Sequence, residues 1–395
     1  MSVLPPEARL LFLATRPRVA GDDEALAEIV RSPINWAAVG QFAEREKLLP
    51  VLWSCLGRHA KAIPAAAAAR LQRQAAITEF RMAMMESVLC QVVERLAAER
   101  IPVMLLKGAA LATTVYPSFA QRPMGDLDIL VKPDDAKRAW QSMRNAGWTI
   151  EPEFADGGNF HELHHHLPPL VDPRGLKVVL EIHRAMLPVE SPCALDADEV
   201  WRHARPMHLG GTTAWVPSDL HQMIHLCVHF AWSHMLESGV ARTVRDVATL
   251  MGTGNLQWPG FVALATRARA GTCAYWTLAM TKTLSGAAAP AAVMEALRPH
   301  QPRALTRALE RSYVMTGLAR ACPSVRVARL MWTAGVRPGA SGHGAARPWH
   351  TGEKFKEAFH IGTIPTVGAR LSAHLRGVAS WFRFASVVGM PRRVI

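Results

Sequence analysis

Residues 122–131 have the sequence RPMGDLDILV, and this stretch decides the fold that we expect. If it forms a strand, its side chains alternate between two faces. Asp126 and Asp128 then share one face, and the apolar residues between and after them enter the core. Two carboxylates held side by side repel each other, and one would take up a proton unless a cation lay between them. Because hard divalent cations prefer oxygen ligands, the stretch predicts a metal-binding strand.

A candidate phosphate site lies just upstream of this strand. An apolar strand at 103–106 and a helix at 109–116 are predicted, joined by a turn at Lys107 and Gly108. The free N–H groups and the positive dipole end of such a helix attract anions. A phosphate would fit there, although an ordinary strand-to-helix turn that needs a glycine has the same sequence.

A second alternating strand is predicted at residues 176–183, with the sequence LKVVLEIH. Glu181 and His183 share the face opposite to the leucines and isoleucine. If this strand lies next to the aspartate strand, Glu181 reaches the same side as the two aspartates and becomes a third metal ligand. His183 would hydrogen-bond to substrate or to Glu181, or it would have a structural role.

Several charged residues have two interpretations. Arg122 precedes the aspartates, and its guanidinium would either bind a phosphate in bidentate fashion or balance Asp126. A predicted helix near residue 240 carries further candidate cleft residues, with a simple salt bridge as the alternative: Arg242, Arg245 and Asp246.

Histidines form two groups. The first lacks the spacing and the cysteines of a zinc site, so a surface or strand cluster is expected: His161, His164, His165 and His166. The second recurs every four residues on a predicted helix that starts at Asp219: His221, His225 and His229. For this second group, a position lining the active-site cleft, a separate metal site and a structural role all stay open.

Together these residues resemble a known group of enzymes. An apolar strand, a glycine turn into a helix and a strand carrying two aspartates one residue apart are similar to the core of the polymerase-β-like nucleotidyltransferase superfamily. A larger set resembles the family described as uncharacterised or minimal nucleotidyltransferases: Lys107, Gly108, Tyr116, Pro117, Arg122, Asp126, Asp128, Glu181, Ile182 and His183. The match is densest over residues 101–184, and a weaker helical pattern extends it over about 20–335.

The resemblance implies an α+β fold with a small mixed sheet flanked by helices. It also implies transfer of a nucleoside monophosphate from a nucleoside triphosphate, with ATP favoured, to an unidentified acceptor, and release of pyrophosphate. The cofactor would be Mg²⁺ or Mn²⁺, bound by the catalytic acids Asp126, Asp128 and Glu181. The nucleotide would contact Lys107, Gly108, Ala109, Arg122 and His183.

One position departs from the wider superfamily. Ala109 stands where a small hydroxyl residue or a second glycine is common. Phosphate binding would therefore fall to backbone N–H groups and to Lys107. The alternative to an enzyme is a nucleotidyltransferase fold that acts as a binding or regulatory protein.

Length and charge indicate how the chain is organised. At 395 residues it exceeds the usual size of a single core. We expect four segments: an N-terminal helical region 1–100, a nucleotidyltransferase core 101–216, a C-terminal helical domain 217–336, and a linker with a basic amphipathic tail 337–395. The net charge of +13 favours contact with anions. The tail would contact nucleic acid or an anionic surface, or pack back on the body.

Cysteine usage and hydropathy suggest the compartment. The six cysteines are scattered without paired spacing, which is typical of reduced thiols and not of a disulfide framework. No uncharged apolar run of about 18 residues is present, so no membrane span is expected. The first residues do not have the pattern of a secretory signal. A cytoplasmic protein is the expectation.

Overall fold

The computed structural model describes residues 4–154, 164–188, 191–318 and 325–336. Within these residues one mixed sheet has seven strands: β1 Met104–Leu105, β2 Asp126–Leu130, β3 Thr149–Ile150, β4 Leu170–Val171, β5 Val179–His183, β6 Arg205–Leu209 and β7 Thr212–Val216. Their order across the sheet is β3-β4-β5-β2-β1-β7-β6. The predicted α+β class is confirmed. The basic tail from residue 337 onwards, whose contacts were left open, lies outside the described residues.

Helices surround the sheet, and fifteen α-helices are described in these ranges. Seven lie before β3 in the chain: α1 Pro6–Thr15, α2 Asp22–Arg31, α3 Trp36–Arg45, α4 Leu49–Leu56, α5 Ala65–Ala98, α6 Lys107–Thr114 and α7 Ala136–Asn145. Eight lie later in the chain: α8 Ala197–Arg202, α9 Asp219–Val228, α10 Val240–Gly252, α11 Trp258–Arg267, α12 Gly271–Ser285, α13 Ala291–Ala296, α14 Arg303–Gly317 and α15 Val325–Gly335. None of the described helices is both long and apolar enough to cross a membrane.

The register between β2 and β5 positions the acidic residues. The two strands are parallel, and Asp128 lies directly opposite Glu181. On the other side β2 pairs with β1 in antiparallel orientation. Leu127 and Ile129 are fully buried, as the alternation predicts. The acidic side chains therefore share the opposite face of neighbouring strands.

Two apolar cores flank the sheet. On one face, Leu127 and Ile129 pack with the long helix α5, whose buried methionines Met82 and Met85 fill this core. On the other face, Leu130 packs with helices from both ends of the chain, because the cluster around it runs from α1 to α15. Leu130 shares its face with Asp128. The acids thus lie where the sheet meets the N-terminal and C-terminal helices.

A buried ion pair ties the loop before β2 to helix α10. Arg122 Nε donates to Asp246 Oδ1 at 2.7 Å, and Tyr116 Oη donates to the same oxygen at 2.8 Å. Arg122 and Asp246 are 6% and 1% exposed, so the pair is shielded from water. A charge buried in this way is tolerated only with its partner in place.

Removing the carboxylate of this pair tests its role in the fold. Asp246→Ala should lower the free energy of unfolding by about 3–5 kcal/mol, because Arg122 stays buried without an opposite charge. As a matched control, Glu295→Ala breaks the exposed pair with Arg298 and should cost less than about 1 kcal/mol. Urea titrations followed by circular dichroism measure both. Equal losses in the two variants would contradict a structural role for the buried pair.

Candidate active site

The core of the site is a pair of carboxylates that share one ammonium group. Lys107 Nζ lies 2.6 Å from Asp128 Oδ1 and 3.8 Å from Glu181 Oε2. His183 Nε2 lies 2.9 Å from the same Asp128 oxygen and 3.3 Å from Glu181 Oε2. The structure therefore brings Asp128, Glu181, His183 and Lys107 together. The sequence had assigned Lys107 to phosphate, whereas here its ammonium contacts the acids.

The electrostatics show how strongly these groups depend on one another. Burial alone would lower the pKa of Lys107, but the charges of Asp128 and Glu181 outweigh it and raise that pKa. In the same way, burial would raise the pKa of Asp128, yet Lys107 and His183 hold it well below its usual value. Burial opposes the charged form of His183, and hydrogen bonds to the two acids raise its pKa. The carboxylate of Asp128 is therefore stabilised in its ionised form by the cations beside it.

Lys107 reaches the acids from an unusual backbone conformation. It is the first residue of α6, and its φ of 45° lies in the left-handed region that side chains with a Cβ rarely adopt. Such strain persists only where surrounding contacts hold it in place, and it is frequent at functional sites. The ion pair with Asp128 is one such contact.

Asp126 has a different environment from Asp128. It shares the face of Asp128 on β2 and is partly exposed. Among the described residues it makes no hydrogen bond or ion pair, and its pKa is raised, first by the charge of Asp128 and then by burial. A carboxylate in this state gains from a nearby cation. Asp126 is thus an unused oxygen donor at the end of the row of acids.

The donor set fits a divalent cation. One ligand atom each from Asp128, Glu181 and His183 lie within 4.8 Å of one another, and Asp126 adds a further carboxylate on the same face. Carboxylate oxygens suit Mg²⁺ and Mn²⁺. The Lys107 ammonium marks the position where this group of acids accepts positive charge. Glu181 retains 20% side-chain exposure, so the acids are in contact with solvent.

Gly108 and Ala109 lie in the first turn of α6, next to the acids. A Cβ on Gly108 would lie 3.1 Å from Met124 Cβ and 3.3 Å from Arg122 Nη1, so the glycine permits close packing of the loop before β2. Ala109 is only 1% exposed and its methyl group belongs to the core. Their side chains therefore serve packing.

Arg122 is placed near the site but is already paired. Its guanidinium contacts Asp246, and Nη1 also donates to the carbonyl of Pro123 at 2.9 Å. Of the two roles considered from the sequence, a balancing one has a clear partner, which is Asp246 and not Asp126. The neighbouring Arg245 donates to backbone carbonyls of Thr15 and Gln121.

A group of histidines adjoins the acids. The rings of His165 and His166 lie 5.0 and 5.3 Å from the ring of His183, and a β-bridge joins His166 to His183. Burial lowers the pKa of His165 to about 2, with His183 adding to the effect. The ring of His164 lies 5.7 Å from that of His166, and His161, the fourth member of that sequence group, lies outside the described residues.

The histidine stripe on α9 divides between two places. Burial and the charge of Lys107 lower the pKa values of His225 and His229, whose rings lie 6.2 Å apart. A π-helical turn at His229–Ser233 follows α9, and such turns often occur at functional sites. His221 instead lies beside His203 and Glu199, and Glu199 is ion-paired with Arg267 at 2.7 Å. The charged groups that act on His221 thus differ from those that act on His225 and His229.

Two cationic side chains near Asp126 complete the site, and the sequence offered little sign of one of them. Lys47 Nζ lies so close to the backbone that a Cβ on Gly125 would approach it to 2.1 Å. Among the cations whose charge lowers the pKa of Lys47, Arg242 on α10 acts most. The only signal in the sequence was a glycine directly before Asp126, which leaves room for a close neighbour.

The two described cavities lie away from the acids. One, of about 240 Å³, is lined by residues that include Arg18, Cys55 and Arg245. The other, of about 200 Å³, lies between Thr114, Arg205 and Asn255. Neither includes Asp126, Asp128 or Glu181 in its lining.

The buried histidines predict an acid-sensitive fold. Burial, Lys107 and His183 lower the pKa of His225 to about 3, against 6.5 for a free histidine. Below pH 6.5 the unfolded chain therefore binds a proton that the folded chain does not, so stability is complete above pH 6.5 and falls as the pH drops towards 3. Between pH 7 and pH 5, His225 alone should cost roughly 2 kcal/mol.

This prediction is checked by unfolding free energies at the two pH values. In His225→Gln the loss between pH 7 and pH 5 should shrink by that amount, whereas His208→Gln, at an exposed position on β6, should leave it unchanged. An unaltered pH dependence in the His225 variant would show that its imidazole does titrate in the folded protein.

A match to a protein family agrees with this geometry. No curated protein matches the chain. The family described as uncharacterised nucleotidyltransferase matches residues 32–286, which is more than half of the chain and includes the sheet, the acids and both Lys47 and Arg242. The chain therefore belongs to the uncharacterised nucleotidyltransferase family.

Proposed function

We propose that the protein transfers a nucleoside monophosphate from a nucleoside triphosphate, with ATP favoured, to an acceptor hydroxyl and releases pyrophosphate. The observation that supports this most is the pairing of Asp128 with Glu181 in the β2–β5 register, beside the unpaired carboxylate of Asp126. Family membership supports a transferase. The free thiols among the described cysteines agree with the cytoplasm as the proposed compartment.

In this proposal Asp126, Asp128 and Glu181 hold Mg²⁺ or Mn²⁺. When bound, the metal would neutralise charge on the phosphates and on the leaving pyrophosphate. The Lys107 ammonium, which lies 2.6 Å from Asp128 Oδ1, would bind a phosphate oxygen, the role first expected for it. The backbone N–H groups at the start of α6 add dipoles that favour the same anion.

The transfer step is a displacement at the α-phosphorus. The acceptor oxygen forms a bond to that phosphorus, the bond to the bridging oxygen breaks, and pyrophosphate leaves with the electron pair. Glu181 orients the acceptor hydroxyl and takes its proton on a carboxylate oxygen. His183, which contacts both Asp128 and Glu181, fixes the orientation of the two carboxylates. Placement and electrostatics supply most of the rate enhancement.

The second candidate is a binding or regulatory protein without catalysis. The contact between Lys107 and Asp128 favours it, because an ammonium already fills the place of the metal. The two candidates differ in one measurable product. Only the enzyme releases pyrophosphate in the presence of a divalent ion.

Loss of a single acid tests the enzyme. With α-labelled nucleotides, a cell extract as the source of acceptor and either Mg²⁺ or Mn²⁺, the wild type should place the label on an acceptor and release pyrophosphate. Asp128→Asn should lower this rate at least about a hundredfold, since a metal ligand is worth several kcal/mol in the transition state.

The matched control for that experiment is Asp134→Asn, at an exposed position before α7, which should transfer at the wild-type rate. Thermal melting verifies that both variants fold. A fully active Asp128→Asn variant would refute the assignment of this acid, and the absence of label transfer from all four nucleotides would favour the binding protein.

A further inference from the structure

Two cations that are far apart in the sequence, Lys47 and Arg242, lie beside Asp126. Lys47 lies in the turn between α3 and α4, where its φ of 57° is in the left-handed region. Arg242 lies in the first turn of α10. Their neighbours in sequence are joined directly, because Glu46 Oε2 accepts a hydrogen bond from the Ala241 N–H at 2.9 Å. We call Lys47 and Arg242 the basic pair.

The basic pair is unusual because neither side chain has a partner. In the part of the chain that the structure describes, neither makes a hydrogen bond or an ion pair, whereas Arg122 and Arg245 beside them are bonded. Burial and the charge of Arg242 lower the pKa of Lys47 to about 8. Burial, followed by the charge of Arg122, lowers the pKa of Arg242. Partly desolvated cations that repel each other destabilise a fold.

Two glycines leave room for the side chains of the basic pair. A Cβ on Gly125 would lie 2.1 Å from Lys47 Nζ, and one on Gly239 would lie 2.9 Å from Arg242 Nη2. Gly239 also has a φ of 67°, which favours glycine. Two glycines therefore leave the space that the basic pair fills.

The basic pair lies at one end of the row of acids. Lys47 Nζ lies against Gly125, the residue directly before Asp126. Lys107 Nζ instead contacts Asp128 and Glu181, at 2.6 and 3.8 Å. The basic pair therefore lies at the Asp126 end of the row of acids, and Glu181 with its histidines lies towards the other end. One end has surplus positive charge, and the other has surplus carboxylate.

We propose that Lys47 and Arg242 bind the β- and γ-phosphates of the nucleoside triphosphate and then the departing pyrophosphate. The proposal rests on the proposed function, and it assigns the direction in which the substrate lies. The triphosphate extends past Asp126 towards the basic pair, and the acceptor approaches from the side of Glu181 and His183. Arg242 offers a bidentate fork and Lys47 a compact charge, both suited to phosphate.

The test uses phosphate compounds of increasing length as probes. Calorimetric titrations measure binding of inorganic tripolyphosphate without divalent metal, and of ATP, ADP and AMP with Mg²⁺. Lys47→Met and Arg242→Met should each weaken tripolyphosphate and ATP binding about tenfold or more. ADP should lose less affinity, and AMP should bind as in the wild type. Lys47→Arg keeps the charge and should stay within about threefold.

Thermal stability supplies a second readout. Because Lys47→Met removes a cation without a partner but keeps an unbranched apolar side chain, its melting temperature should equal or exceed that of the wild type. Lys61→Ala, at an exposed position in the same N-terminal region, is the control for lost surface charge and should leave binding unchanged. A Lys47→Met variant that melts lower and binds tripolyphosphate normally would overturn the proposal.

Failure of this proposal is distinguishable from failure of the proposed function. If the wild type transfers nucleotide while both methionine variants bind ATP normally, the basic pair has another role and the transferase stands. If no transfer occurs, yet tripolyphosphate binds and is lost in the variants, the phosphate site stands without the reaction. An equal loss of AMP, ADP and ATP would indicate a general structural effect and would also overturn the proposal.

Discussion

The acidic residues that β2 and β5 hold side by side need a positive charge next to them. The parallel register of β2 and β5 holds Asp128 and Glu181 side by side, and burial of Asp128 removes the water that would otherwise screen its charge. In the described structure one ammonium, that of Lys107, supplies the balancing charge at 2.6 Å from Asp128. His183 adds hydrogen bonds to the same oxygens. Lys107 makes this contact from a left-handed backbone conformation at the start of α6.

Near Asp126 the excess charge is positive, the reverse of the excess of acids around Asp128. Lys47 and Arg242 lie near Asp126, and among the described residues their side chains make no hydrogen bond or ion pair. Both have lowered pKa values. Asp126 lies between the two regions with a raised pKa. A divalent metal bound to a triphosphate carries positive charge at one point and negative charge beside it. In the function that we propose, the carboxylates receive the metal and the cations receive the phosphates.

The alternation of side chains along the sequence was sufficient to predict β2 and β5 and the acids that they carry. Alternation placed Asp126 and Asp128 on one face, and the same rule placed Glu181 opposite the buried Leu180 and Ile182. That Glu181 would lie next to Asp128 required the assumption that the two strands are neighbours, which the register confirms. The helix predicted from Asp219 is also present, and the side chain of Ser218 caps it.

The parts that could not be predicted depend on contacts between distant residues. Arg122 was considered for phosphate or for Asp126, but it pairs with Asp246, 124 residues away. Lys47 reaches the site because Glu46 bonds to Ala241, 195 residues later. The contact of Lys107 with the acids depends on one backbone dihedral angle that no residue pattern encodes. Tertiary packing decides such pairings, and a single sequence carries no periodic signal for them.

The most direct test is diffraction from crystals grown with Mn²⁺ and a non-hydrolysable nucleoside triphosphate, with the anomalous signal of manganese recorded. We expect an anomalous peak within coordination distance of the carboxylates of Asp128 and Glu181, with the Lys107 ammonium displaced from Asp128 onto a phosphate oxygen. Nucleotide bound elsewhere, or Lys107 still bonded to Asp128 with no peak between the two strands, would contradict the account.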